Sequence, residues 1–136
     1  MKYAYPAIFT TEEVSGRGIV YMVTIPDVLG CVTEGGSIAE AISMAREVLA
    51  GCLLFIKQSK ETIPVPSDIT LFKSQPGRFV SIIDVDLSEY LRKNQKKSII
   101  KTVSLPQWLD TMAEEAGISY SRVFQKALKE ELSIAK

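Results

Sequence analysis

The sequence predicts a two-part α+β chain: a small sheet-and-helix layer over residues 1–91, a basic connector over 92–97, and a one-strand, two-helix module over 98–136. Three observations predict it. Short β-rich runs bounded by Gly, Pro and Asp fill the first quarter. A stripe follows with apolar residues at 38, 41, 42, 45, 48, 49, 52, 53 and 56, the i, i+3, i+4 pattern of one buried helix face. The end of the chain then changes to strand, Pro-led helix, Gly and Ser-led helix.

The chain has 136 residues, 46% hydrophobic and 24% charged, which fits one globular domain or two small ones. Basic and acidic residues number 16 each, but not evenly along the chain. Residues 1–90 carry 7 basic and 11 acidic side chains, a net of −4; residues 91–136 carry 9 and 5, a net of +4. Such asymmetry points to two modules with different partners. The absence of histidine removes Ser-His and Cys-His dyads, imidazole acid–base work and imidazole metal ligands. Two cysteines, Cys31 and Cys52, are too few for a disulfide scaffold or a cysteine zinc site, and no cofactor is expected. Met1, Lys2 and Tyr3 run straight into strand-like sequence rather than a leader, so the expected compartment is reducing cytoplasm. The longest apolar run, 48–56, has nine residues. A bilayer span takes about 20, so no membrane partner is expected.

Residues 3–10 alternate as a strand, with Tyr3, Tyr5, Ala7 and Phe9 on one face and Ala4, Pro6 and Ile8 on the other. Pro6 has no N–H for a ladder, which puts this strand at an edge or calls for a bulge. Residues 12–18 read as a turn around Ser15, Gly16, Arg17 and Gly18. Residues 19–25 form a second strand and 31–34 a short third, separated by a loop over 26–30 and ended by Gly35 and Gly36. Ser37 caps the long helix, Glu40 stands at capping-box spacing, and Lys57 lies where a cation suits the helix dipole. Ile63, Pro64, Val65 and Pro66 lead out of it, and 68–73 carry no decisive pattern. Residues 78–85 are strand-like, and 86–91 open a short helix.

In the last module, 98–105 read as one strand. Pro106 opens a helix with apolar residues at 108, 109, 112, 113 and 116, closed by Gly117. Ser119 or Ser121 caps a second, apolar at 120, 123, 124, 127, 128 and 132. One strand has two unpaired edges, and so short a unit needs help to fold. A second copy supplies it. Two strands pair antiparallel across a two-fold axis, four helices cover one face, and the other face is free to enter a DNA major groove. Alternation turns Val103 and Leu105 to the helices and Ile100, Thr102 and Ser104 to the reading face. Ile99, Val103, Leu105, Trp108, Val123 and Phe124 are expected to hold the homodimer. Lys96, Lys97 and Lys101 stand where phosphates would lie, and Ser119, Tyr120 and Ser121 open a helix N-terminus suited to an anion.

The runs KTVSLPQWL at 101–109, AGISYS at 116–121 and the helix over 122–132 resemble the ribbon-helix-helix family of repressor DNA-binding domains. The resemblance implies that Ile100, Thr102 and Ser104 read operator bases. It also implies that Gly117, Ser119 and Ser121 mark the turn where a helix N-terminus clamps a phosphate.

In the first part, Asp27, Glu34, Asp84 and Asp86 stand near predicted strand ends. Clustered carboxylates can hold two Mg²⁺ ions for nuclease chemistry. Each also has a local role, with Asp27 in a turn after Pro26, Glu34 at a strand end and Asp86 as a helix cap. Nothing in the sequence forces the four together, so no catalytic or metal-binding residue is expected.

YPAIFT at 5–10, YMVTIPDVLGCVTEG at 21–35 and the helix over 37–54 resemble the HicB antitoxin family, with PDVLGCVTEG at 26–35 the specific part. The resemblance implies a partial, degenerate RNase H-like fold for 1–91, lacking the catalytic carboxylate set. That domain would bind a HicA-type toxin, a small protein that cuts mRNA using a histidine on a double-stranded-RNA-binding-like fold, at residues the sequence does not identify. With the ribbon-helix-helix tail, the expected protein is a non-enzymatic antitoxin that represses its own operon, dimeric alone and in a larger assembly with toxin. Charge agrees: an acidic first part suits a basic toxin, and a basic second part suits DNA. The competing expectations are a ribbon-helix-helix repressor whose first domain senses a small ligand, and a residual nuclease.

Overall fold

The computed structural model describes residues 1–134, in two compact units that meet at the Lys97–Ser98 bond. In the first, β1 (Lys2–Val14) turns back into β2 (Gly18–Thr24), and the two pair antiparallel from Ile8↔Thr24 to Val14↔Gly18. A turn over 25–31 leads to β3 (Val32–Gly35), which pairs with β2. Helix α1 (Ile38–Gln58) follows, and the chain returns as β4 (Arg78–Asp86), antiparallel to β1 from Lys2↔Asp86 to Thr10↔Arg78. The sheet order is β3-β2-β1-β4, and α2 (Leu87–Asn94) continues from β4.

Alternation decides what the sheet buries. Tyr5, Ala7 and Phe9 of β1, Val23 of β2 and Ile83 of β4 turn into one core with Ala41, Ala45, Leu49, Ala50 and Leu53 of α1. The phenyl rings of Phe9 and its cross-strand partner Phe79 stack at 4.7 Å. Small residues at 41, 45 and 50 let the helix lie close, and each fully buried leucine contributes about 1.5–3 kcal/mol. Gly35 permits the same closeness at the start of α1, since a Cβ there would stand 2.4 Å from the Ala41 amide nitrogen. Ser37 caps α1 as expected, its hydroxyl accepting from the Glu40 amide at 3.1 Å.

Three expectations for this unit need correction. β1 runs on to Val14, because Glu12 and Glu13 find ladder partners in Val20 and Ile19. A hairpin end needs pairing rather than burial, so polar residues do not stop it. β1 as a whole is an inner strand, and its register against β4 has no bulge. Because β2 joins only from Ile8, Pro6 has a strand neighbour on one side, which is how its missing N–H is accommodated. The connector expected at 92–97 is helical through Asn94. Arg92 and Lys93 form helix readily and complement the dipole of α2, although the apolar pattern ends at Leu91. The undecided stretch at 68–73 holds one 3₁₀ turn, Ile69–Leu71, capped by Asp68.

The second unit holds α3 (Gln107–Glu115) and α4 (Tyr120–Glu131). Gly117, at φ +66°, closes α3: its amide bonds to Glu114 O at 3.0 Å and the Ile118 amide to Ala113 O at 3.1 Å. This is the paired C-terminal motif that glycine makes cheap. Ser119, not Ser121, caps α4. Residues 98–105 form no strand, contrary to expectation. A strand is defined by its ladder, and the single chain offers this segment no partner.

Candidate functional sites

The four carboxylates of the first unit lie in four separate settings. Asp27, in the turn before β3, accepts from the Ser67 amide at 2.9 Å and from the Ser67 hydroxyl, tying that turn to the segment after α1. Glu34 pairs with Arg17 at 3.1 Å, and Asp84 with Arg46 of α1 at 3.0 Å. Asp86 caps α2 through the Ser88 amide at 3.0 Å and binds the chain's amino terminus at 3.2 Å. Hydrogen bonding to that ammonium holds its carboxyl below the usual range. Among the described residues, no three His, Cys, Asp or Glu side chains gather as a metal site would require. Cys31 is buried and Cys52 half-buried, and both are free. Burial, and then the nearness of Cys52, push the Cys31 thiol up to about 12. A thiol so held stays protonated and is a poor nucleophile.

The run over 26–35 is mostly architecture. Ile25, Val28 and Cys31 are core residues, and the turn closes on itself through Val28 N to Ile25 O, Cys31 N to Val28 O and Ile25 N to Cys31 O. Leu29 is the most openly displayed apolar side chain of the run, 98% exposed at the tip, with Val32 about half exposed beside it. Sequence reasoning passed over it. The available signal was an apolar residue inside an otherwise turn-forming run.

The second unit has the opposite character. Leu105, Trp108, Leu109, Met112, Val123, Phe124 and Leu128 are all between 40% and 64% exposed, and neither helix buries a residue. Of the residues expected to hold a dimer, Ile99, Val103, Leu105, Trp108, Val123 and Phe124 are thus all open in the single chain. Of those expected at DNA, Ile100, Thr102, Ser104, Lys96, Lys97 and Lys101 are exposed. The Ser119 hydroxyl is engaged as a cap, and the Ser121 hydroxyl accepts from the Gln125 amide at 3.1 Å. One contact braces the hairpin of α3 and α4. The Tyr120 hydroxyl donates to the Asp110 carboxylate and reaches the Asp110 carbonyl at 3.2 Å. That carboxylate pushes the phenol up to about 12. Among the described residues, no helix is long and apolar enough to cross a membrane.

Comparison with known proteins adds independent observations. An uncharacterised 14.9 kDa protein from the rep-hol intergenic region of Haemophilus phage HP1 is 30% identical over 82 residues, 58% of this chain and 62% of that protein's length. A chain of a toxin–antitoxin complex from Streptococcus pneumoniae is 29% identical and matches 96% of this chain and 99% of its own, with a TM-score of 0.60. The antitoxin HicB of Burkholderia pseudomallei, 24% identical, matches 96% of this chain and 98% of its own at a TM-score of 0.52, a likeness of fold. The model of the HicB-like antitoxin of bacterial toxin–antitoxin systems matches residues 5–128. The chain belongs to the HicB-like antitoxin family.

Proposed function

We propose that this chain neutralises a HicA-type, mRNA-cleaving toxin through residues 1–91 and represses its own operon through 98–136, joined by 92–97. The carrying observation is the uncovered apolar face of the second unit, where two well-formed helices bury nothing. Such a unit is half of a core, and a second copy completes it. Pairing 98–105 with its counterpart would build the missing ribbon, a ribbon-helix-helix dimer. Val103 and Leu105 would turn inward, and Ile100, Thr102 and Ser104 toward operator bases. Lys96, Lys97, Lys101, Ser119 and Ser121 would face phosphates. Support for the toxin partner comes from family membership and from the full-length likeness to a chain of a toxin–antitoxin complex.

The strand-strand-strand-helix-strand order supports a partial RNase H-like first domain. Asp27, Glu34, Asp84 and Asp86 are engaged in a turn contact, two ion pairs and a helix cap, which supports a binding role rather than a metal-dependent one. The test is co-expression with the product of any short neighbouring reading frame that encodes a small, basic, histidine-containing protein. Restored growth and a co-purifying complex with an even number of antitoxin chains are expected. Persistent toxicity with no complex would leave a ligand-sensing repressor instead.

A further inference from the structure

The charge of this chain is distributed in three steps rather than two. Residues 1–91 carry 7 basic and 11 acidic side chains, residues 92–97 carry 4 and none, and residues 98–136 carry 5 and 5. The two-helix unit is therefore neutral. Lys101, Arg122, Lys126, Lys129 and Lys136 are offset by five carboxylates of the same unit. DNA binding is driven largely by phosphate neutralisation, and a neutral dimer of 98–136 supplies little of it.

We infer that Arg92, Lys93, Lys96 and Lys97, in the last turn of α2 and the three residues beyond it, are the principal phosphate-binding element of this protein. The assignment rests on the DNA-binding reading above and locates its electrostatic part in the first unit rather than in the ribbon-helix-helix unit. All four side chains are exposed, and none takes part in an ion pair among the described residues. On α2, Leu87 and Tyr90 face the core. At 100° per residue, this turns Arg92 to the opposite side and sets Lys93 about a quarter-turn from the core direction, where it lines a cleft with Glu47, Asp84, Asp86 and Glu89. Arg92 and Lys93 also suit the dipole of α2, but Lys96 and Lys97 lie past the helix and have no such role. Their place in the chain is apt. Lys97 is five residues from Thr102, a reach of at most about 17 Å for extended chain. That is comparable with a major groove about 12 Å wide, so a cation there meets the backbone flanking a groove that Thr102 enters.

The test compares two charge-matched variants of the full chain. One is R92Q/K93Q/K96Q/K97Q and the other K101Q/R122Q/K126Q/K129Q. Each is titrated against a duplex from upstream of its own gene and a random duplex of equal length, at several salt concentrations. A dimer presents eight cations from 92–97. With about 0.9 in slope per phosphate neutralised, the first variant should flatten the log–log salt dependence by about 4–7 and the second by about 2. Both DNAs should be affected alike. K96Q/K97Q, which leaves α2 untouched, should give about half the loss of the first variant. Thermal midpoint and dimer mass are measured alongside and should stay near wild type. An unchanged slope in the first variant, or an equal or larger loss in the second, overturns the assignment while leaving the repressor reading intact. Wild-type protein that binds neither duplex overturns the repressor reading and this assignment with it.

Discussion

Residues 1–97 and 98–134 use the same local chemistry to opposite ends. Ser37 over α1 and Ser119 over α4 each cap a helix with a hydroxyl, and Gly117 closes α3 as neatly as any turn in the first unit. Yet the first unit contains all fifteen buried apolar residues, and the second, among the described residues, contains none. A good cap contributes about 1 kcal/mol; a helix lives mainly on the face it buries. α1 has a sheet beneath it, whereas α3 and α4 bury no residue and are joined by the Tyr120–Asp110 brace. Well-formed helices with nothing to cover mark an interface, while the same helices over a sheet mark a core.

The bluntest way to break this contrast is to cut at it. Deleting 98–136 is expected to leave a folded, monomeric first unit that no longer distinguishes its operator from random DNA. Light scattering reports the mass, and gel shifts on both DNAs report the discrimination. Retained discrimination would place base reading in the first unit.

Next in size are single core truncations. Leu49→Ala or Leu53→Ala should destabilise the first unit by about 2–5 kcal/mol, since both side chains are fully buried against the sheet. Val103→Ala should leave that transition where it is and instead raise the concentration needed for dimerisation. Urea unfolding at two protein concentrations separates the cases. A first-unit midpoint that falls with Val103→Ala would show that the units are not independent.

Much of this was legible beforehand because it is local. The α1 stripe, the Ser37 cap, the Asp86 cap and the Gly117 stop each depend on residues a few positions apart, and each stands where the sequence places it. What was not legible is non-local. The pairing of β1 with β4 joins residues some eighty positions apart, and nothing near Pro6 announces that β1 lies inside the sheet. The polar tail of β1 lacks the alternating burial that marks a strand in sequence, because Glu12 and Glu13 are held by the hairpin pairing alone. For 98–105, alternation predicts a strand, but a strand also needs a ladder partner, and the single chain supplies none. At the carboxylates, the local roles expected of Asp27 and Asp86 are those found. The partners Ser67 and the amino terminus, forty and eighty-five positions away, had no local sign.

Reading DNA offers a finer test of the second unit. Thr102→Ala and Ser104→Ala should each cost about 1–3 kcal/mol in operator binding and relax specificity at one position, with the fold and toxin neutralisation intact. Titration against operator and random DNA decides it. Equal losses on both DNAs would mean that the hydroxyl meets backbone or nothing, and the ribbon's faces would have to be reassigned.

The smallest expected effect concerns the brace between α3 and α4. Tyr120 donates to Asp110, whose negative charge opposes loss of the phenolic proton and pushes its pKa from 10 up to about 12. A group whose pKa is raised by folding contributes fully below its unfolded value and loses that contribution as pH climbs through the folded one. The brace should therefore be intact below about pH 10 and weaken between 10 and 12. Tyr120→Phe keeps the ring and removes the hydroxyl. It should be slightly less stable than wild type at pH 8, and the gap should close as pH rises through this window. Any other change with pH is common to both proteins, so the difference between the two curves isolates Tyr120. The effect is small because Tyr120 is nearly half exposed and water competes for both partners. Urea midpoints of both proteins from pH 8 to 11.5, at a concentration where each is dimeric, measure it. Curves that stay parallel throughout would mean that the hydroxyl leaves Asp110 when the second copy docks, and that the hairpin angle is set by the dimer rather than by the chain.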